Sequence, residues 1–130
     1  MAEPPNKIMI IRHGEKPGTN GSQGVQENGT SDKRSLIVIG WQRAGALNAF
    51  FAPAKSSPPK KNITKPDYIY AANPQADSRR PCETVMPLAA WLGYKQGTTQ
   101  FNTQCKIGGD EPSTGESGCG LSTLTPRHTP

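Results

Sequence analysis

The apolar residues of this chain cluster rather than spread. Residues 7–11 (KIMII) form a short run rich in β-branched side chains after Pro4 and Pro5. Such a run reads as a strand buried on both faces. Residues 12–32 are almost free of apolar side chains and carry Gly14, Gly18, Gly21, Gly24 and Gly29. A stretch like this is a long loop, of the kind that is functional or disordered. Across residues 35–51, Trp41, Ala44, Leu47 and Phe51 recur at helical spacing, with Gln42, Arg43 and Asn48 for the wet side and Pro53 as the stop. Residues 54–66 are a Pro/Ser/Lys connector, and 67–72 (DYIYAA) have strand composition again. Pro81 suits the first position of a second helix, with Ser78 as a cap upstream. Val85, Leu88, Ala89 and Leu92 then follow at i, i+3, i+4 and i+7, and Gly93 ends the stripe. Pro87 costs that helix a hydrogen bond and implies a kink or a late start.

The order strand, helix, strand, helix predicts an α/β fold in which two parallel strands are each covered by a helix. Trp41, Trp91 and Phe51 lie on apolar stripes and are expected in the core. Residues 1–96 make one domain on this reading. Residues 97–130 are expected to be an irregular or disordered tail, apart from a short strand near 99–101.

Composition narrows the class. Only 32% of the chain is hydrophobic, and it contains 14 Gly and 13 Pro. That excludes a bilayer-spanning protein, a coiled coil and a tightly packed helical bundle. The net charge of +5 and a pI near 9.3 suit an anionic partner. The densest basic group, Lys55, Lys60, Lys61 and Lys65, sits among Ser and Pro with no aromatic residues interleaved, so it reads as a solvated loop. Neither nucleic acid nor a membrane is expected as a partner. Cys82, Cys105 and Cys119 show no CxxC spacing, and the N-terminus has no signal-peptide pattern. Reduced thiols and a cytoplasmic location are the expectation, with no cofactor.

In open α/β sheets the working residues sit past the C-terminal ends of the strands. Arg12, His13, Gly14 and Glu15 follow the first strand, and the segment from Ser78 to Thr84 (SRRPCET) follows the second. A neutral imidazole accepts a phosphoryl group well, and guanidiniums grip phosphate oxygens bidentately. Arginines nearby also disfavour the imidazolium and keep the ring nucleophilic. These residue types in two segments point to phosphoryl transfer, with no metal required.

The blocks IMIIRHGEKP, GWQRAGALNAFF and SRRPCETVMPLA, in that order, resemble the histidine phosphatase superfamily with its phosphoglycerate mutase-like fold. The resemblance spans roughly residues 7–94. It implies a partial phosphoglycerate mutase-like open parallel sheet with flanking helices and with the C-terminal strands missing. It implies His13 as the nucleophile that forms a phosphohistidine, with Arg12 and Arg80 as phosphate clamps and Arg79 as the alternative to Arg80. Asn20 matches a phosphate-contacting position of some members. For the acid/base carboxylate it leaves Glu111, with Asp110 beside it. Ile37 stands where the family usually has a helix-capping Thr, and Ser35 is the available substitute. The family's second histidine, at the end of an apolar strand, is not found, since His128 has no such strand before it. The chain therefore resembles a histidine phosphatase that is C-terminally truncated or carries an altered tail. The implied activity is that of a phosphomonoesterase or phosphomutase acting on a phosphorylated small molecule. The alternative is a non-catalytic phosphate-binding module or an inactive remnant.

Overall fold

The computed structural model describes residues 7–18, 21–54, 60–75, 78–105 and 122–125 of the 130. Its elements run β1 (Met9–Ile11), α1 (Val38–Phe51), β2 (Tyr68–Ala72), α2 (Arg80–Leu92), β3 (Phe101–Cys105) and β4 (Ser122–Thr125). The class is mixed α/β, with strands and helices alternating through α2 as the hydrophobic pattern predicts.

The sheet differs from the expected one. Its order is β1-β4-β2-β3, with β2 and β3 parallel and β4 antiparallel to both β1 and β2. β1 and β2 therefore point the same way without touching, because β4 fills the gap between them. The segment expected to be an irregular tail, apart from a short strand near 99–101, thus supplies two of the four strands among the described residues. The reason is that FNTQC and STLT carry little apolar signal, whereas sheet membership is decided by backbone pairing and by the β-preference of Thr and Phe. In β3 the period-2 alternation is still visible: Phe101 and Thr103 are buried, and Gln104 is exposed.

β1 is not buried on both faces. Met9 and Ile11 pack toward the core, while Ile10 is 63% exposed. The two helices account for this. α2 lies against β2 and β4, whereas α1 packs chiefly on α2 and leaves the outer face of β1 uncovered. The core consists of Phe51, Ile69, Ala71, Val85, Leu88, Ala89, Phe101 and their small neighbours, so both predicted helical stripes do turn inward. Of the three aromatic residues expected in the core only Phe51 is there: Trp41 is half-buried, and Trp91 lies 63% exposed with its indole N–H donating to the Ala52 carbonyl at 3.3 Å.

α2 begins at Arg80 with Pro81 in its first turn and retains Pro87 in its interior. The proline removes the hydrogen bond that the Glu83 carbonyl would otherwise accept. Gly93, at φ 80°, closes the helix in the left-handed conformation, its N–H bonded to Ala90 O and that of Tyr94 to Ala89 O. Ser35 does not cap α1. The N-cap is Ile37, which makes no side-chain bond, and the Ser35 hydroxyl is used elsewhere.

Candidate functional site

The C-terminal edge of the sheet gathers three segments: the turn after β1, residues 32–36 leading into α1, and the first turn of α2. The first contact joins residues seventy positions apart. Gly14 N–H donates to Thr84 Oγ1 at 2.9 Å, and the Thr84 hydroxyl donates to Arg80 O at 2.7 Å. The threonine thus fastens the Arg-His-Gly turn to the helix that carries Arg80. Gly14 packs against Gly40 of α1, and a Cβ on Gly14 would sit 3.1 Å from Gly40 O. Glu15 completes the dock. Its carbonyl accepts from Ile37 N–H at 3.2 Å, and its carboxylate accepts from Arg43 Nε at 2.8 Å. The Arg43 bond holds the Glu15 carboxyl below its ordinary range.

Residues 32–36 run along the first turn of α2 and touch it at every step. Asp32 lies 3.9 Å from Arg79 Nε, and Lys33 O accepts from Arg80 Nη1 at 3.2 Å. Arg34 O accepts from Arg79 N–H at 3.0 Å. The Ser35 hydroxyl and Leu36 N–H donate to the two oxygens of Glu83 at 2.7 and 2.8 Å. Glu83 is fully buried, and burial pushes its pKa up despite those donors and Arg79. Its neighbour Cys82 is pushed up to about 12, chiefly by burial.

The loop expected over 12–32 is pinned at its far end. Val25 and Ser31 form a bridge, Val25 N–H donates to Leu36 O at 2.8 Å, and the half-buried Trp41 donates its indole N–H to Val25 O at 2.7 Å. Asp32 accepts from Arg34 N–H and from Gln26 Nε2, and these donors lower its pKa.

Within this frame His13 is half-buried and Arg12 exposed. His13 Nδ1 lies 2.7 Å from the Gly14 carbonyl. A carbonyl only accepts, so Nδ1 carries a proton in this contact, and in the neutral ring the lone pair is then on Nε2. The two arginines of α2 are not equivalent. Arg79 lies among three carboxylates, 3.5 Å from Glu83, 3.8 Å from Glu27 and 3.9 Å from Asp32. Arg80 has a neutral carbonyl as its side-chain partner. The Nε of each arginine is buried with no hydrogen-bond partner among the described residues, but that of Arg79 faces carboxylate oxygens at 3.5 and 3.9 Å. A buried guanidinium N–H without an acceptor is suited to an anionic ligand. Arg80 N–H also lies 3.2 Å from Ser78 Oγ, so Ser78 satisfies the helix start although Arg79 occupies the cap position.

Asn20, Asp110, Glu111 and His128 lie outside the described residues. Among the described residues no group of three or more His, Cys, Asp or Glu side chains could hold a metal ion. Sequence reasoning placed Glu83 and Thr84 in a motif without giving either a task, and it read Ser35 as a cap. The available signal was the spacing of Ser78, Arg80, Glu83 and Thr84 itself, which puts two polar groups on a helix turn that faces protein. Comparison with known protein families, with curated proteins and with solved structures returns no match.

Proposed function

We propose that this edge binds the phosphoryl group of a phosphomonoester and that His13 attacks it. The chemistry is that of the histidine phosphatases, with the partial phosphoglycerate mutase-like fold that the motifs resemble. The supporting observation is the Gly14–Thr84–Arg80 relay, which ties the turn bearing His13 to the helix start bearing Arg80. His13 Nε2 forms a bond to phosphorus as the bond to the leaving oxygen breaks. Arg12 and Arg80 hold the nonbridging oxygens as charge develops on them. Water then hydrolyses the phosphohistidine and returns the imidazole. Nδ1–H bonded to Gly14 O keeps the ring in the tautomer that this sequence needs. Glu111 is the carboxylate assigned to proton transfer.

Hydrolysis of p-nitrophenyl phosphate by the full chain and by His13→Ala tests the reading. Activity that disappears in the variant supports it, and equal rates refute it. Thermal stabilisation by inorganic phosphate without turnover would establish the binding module instead. That stabilisation reaches about 2.7 kcal/mol at a hundredfold excess over Kd.

A further inference from the structure

At the end opposite His13 the parallel-running strands β1, β2 and β3 begin and both helices finish. Two aromatic side chains stand exposed there, Phe50 at 39% and Trp91 at 63%. The two belong to the same end, since the Trp91 indole bonds to the carbonyl of Ala52, two residues past Phe50 in the chain. The Lys60 ammonium lies 5.4 Å from the centre of the Phe50 ring, with exposed Lys61 next to it in the chain. Lys7 joins the same loop by donating to Asn62 O at 3.0 Å and Thr64 Oγ1 at 3.1 Å. Beyond α2, Lys95 lines a cavity of about 320 Å³ together with Thr98, Thr99 and Gln100. Among the described carboxylates only Asp67 belongs to this end, while Glu15, Glu27, Asp32 and Glu83 belong to the other.

We propose that this end is a docking surface for an anionic lipid bilayer. Exposed Trp and Phe side chains partition to the level of the headgroups, and lysines around them attract acidic lipids. Reversible attachment needs both contributions together, and here they are adjacent. The Trp91 N–H already has its acceptor in Ala52, so the ring enters the interface without an unpaired donor. The lysines flank the aromatic pair on the connector side rather than alternating with it, as a base-stacking groove would require. Attachment is peripheral, since among the described residues no helix is long and apolar enough to cross a membrane. The sequence reading excluded a membrane partner only for want of a spanning run. Docked in this way, the His13 edge faces water.

Co-sedimentation of the full chain with phosphatidylcholine vesicles, with and without phosphatidylserine, tests the proposal. Binding is expected only to the phosphatidylserine vesicles and is expected to fade as salt rises. Trp91 emission is expected to shift to the blue on binding, and Trp91→Phe to abolish the shift. Lys60→Gln with Lys61→Gln should lower partitioning about 25-fold, at roughly fivefold for each lysine near an anionic leaflet. The replaced side chains are exposed, and circular dichroism verifies that the variants fold. The proposal is overturned by failure to sediment with phosphatidylserine vesicles, or by binding that survives both sets of substitutions. Binding confined to single-stranded RNA would overturn it as well. None of these readouts depends on phosphatase activity.

Discussion

Replacing Glu83 removes the acceptor that joins α2 to the strand-to-helix segment before α1. Glu83→Ala strands two donors, the hydroxyl of buried Ser35 and the N–H of buried Leu36. Each buried donor left without a partner costs about 1–3 kcal/mol. The lost side-chain methylene adds about 0.8 kcal/mol, and relief from burying a carboxylate offsets part of the sum. Arg79 keeps Asp32 and Glu27 as counterions, so its charge is not orphaned. The expected loss is about 3–5 kcal/mol, a large share of the roughly 5–15 kcal/mol that holds a domain folded. Glu83→Gln keeps the shape and one acceptor for Leu36 N–H, and Ser35 can rotate to accept from the new amide. It should cost about 1 kcal/mol. The pair also differ in pH response. Glu83 has a raised pKa in the folded protein, so the folded state holds its proton more tightly than the unfolded chain does. Its contribution is therefore complete at pH below the unfolded value near 4.5 and declines as pH rises through the raised folded value. Glu83→Gln lacks that decline, so its deficit relative to the parent should shrink on going from acid to neutral pH. Arg79 couples Glu83 to Asp32, which makes the difference between the two proteins the quantity to read. Urea titrations at several pH values, followed by Trp fluorescence, measure it. A Glu83→Ala cost below about 1 kcal/mol, or a Glu83→Gln deficit that is flat with pH, would refute the reasoning.

Three further outcomes follow from the same geometry. Thr84→Val strands the Gly14 N–H and is expected to cost about 1–3 kcal/mol, with Thr84→Ser restoring most of it in the same urea titration. Asp32 has a lowered pKa, led by the Arg34 N–H, so its stabilisation is present above its unfolded value and lost as pH falls through the folded one. Asp32→Asn should accordingly destabilise at neutral pH and matter least in acid, as thermal melts across pH will show. Cys82, with its thiol pushed up to about 12, should resist alkylation by iodoacetamide at neutral pH until the protein is unfolded in urea; rapid native labelling followed by mass spectrometry would contradict its burial.

Much of the scaffold was readable because it rests on repeating apolar positions. Trp41, Ala44, Leu47 and Phe51 mark α1 and Val85, Leu88, Ala89 and Leu92 mark α2, and both stripes end where the helices do, although α1 begins at Val38 and α2 at Arg80. β2 announced itself through Ile69, Ala71 and Ala72. β4 did not, because STLT has no alternation to detect and its place depends on partners far away in the chain. Trp91 was misplaced because it lies at the end of α2, where no third element among the described residues covers it. Of the candidate site, the residue types and the two segments were legible. The allocation of charges was not, since Arg79 and Arg80 are adjacent in sequence yet among the described residues only the former lies among carboxylates. That distinction is set by residues 27, 32 and 83 meeting in space.

The position of β4 bears on the order in which the molecule can assemble. Met9 pairs with Leu124, so among the described residues the strand that leads into His13 finds its sheet partner more than a hundred positions further along the chain. Contacts of such separation slow folding and cannot form until both strands have been synthesised. α1, α2, β2 and β3 can reach their mutual packing first, with the Gly14–Thr84 bond as an early tether. The strand that leads into His13 then joins the sheet late, when β4 arrives between it and β2. Chains shortened before β4 would hold the helices and the parallel pair while the edge bearing His13 is still unfinished.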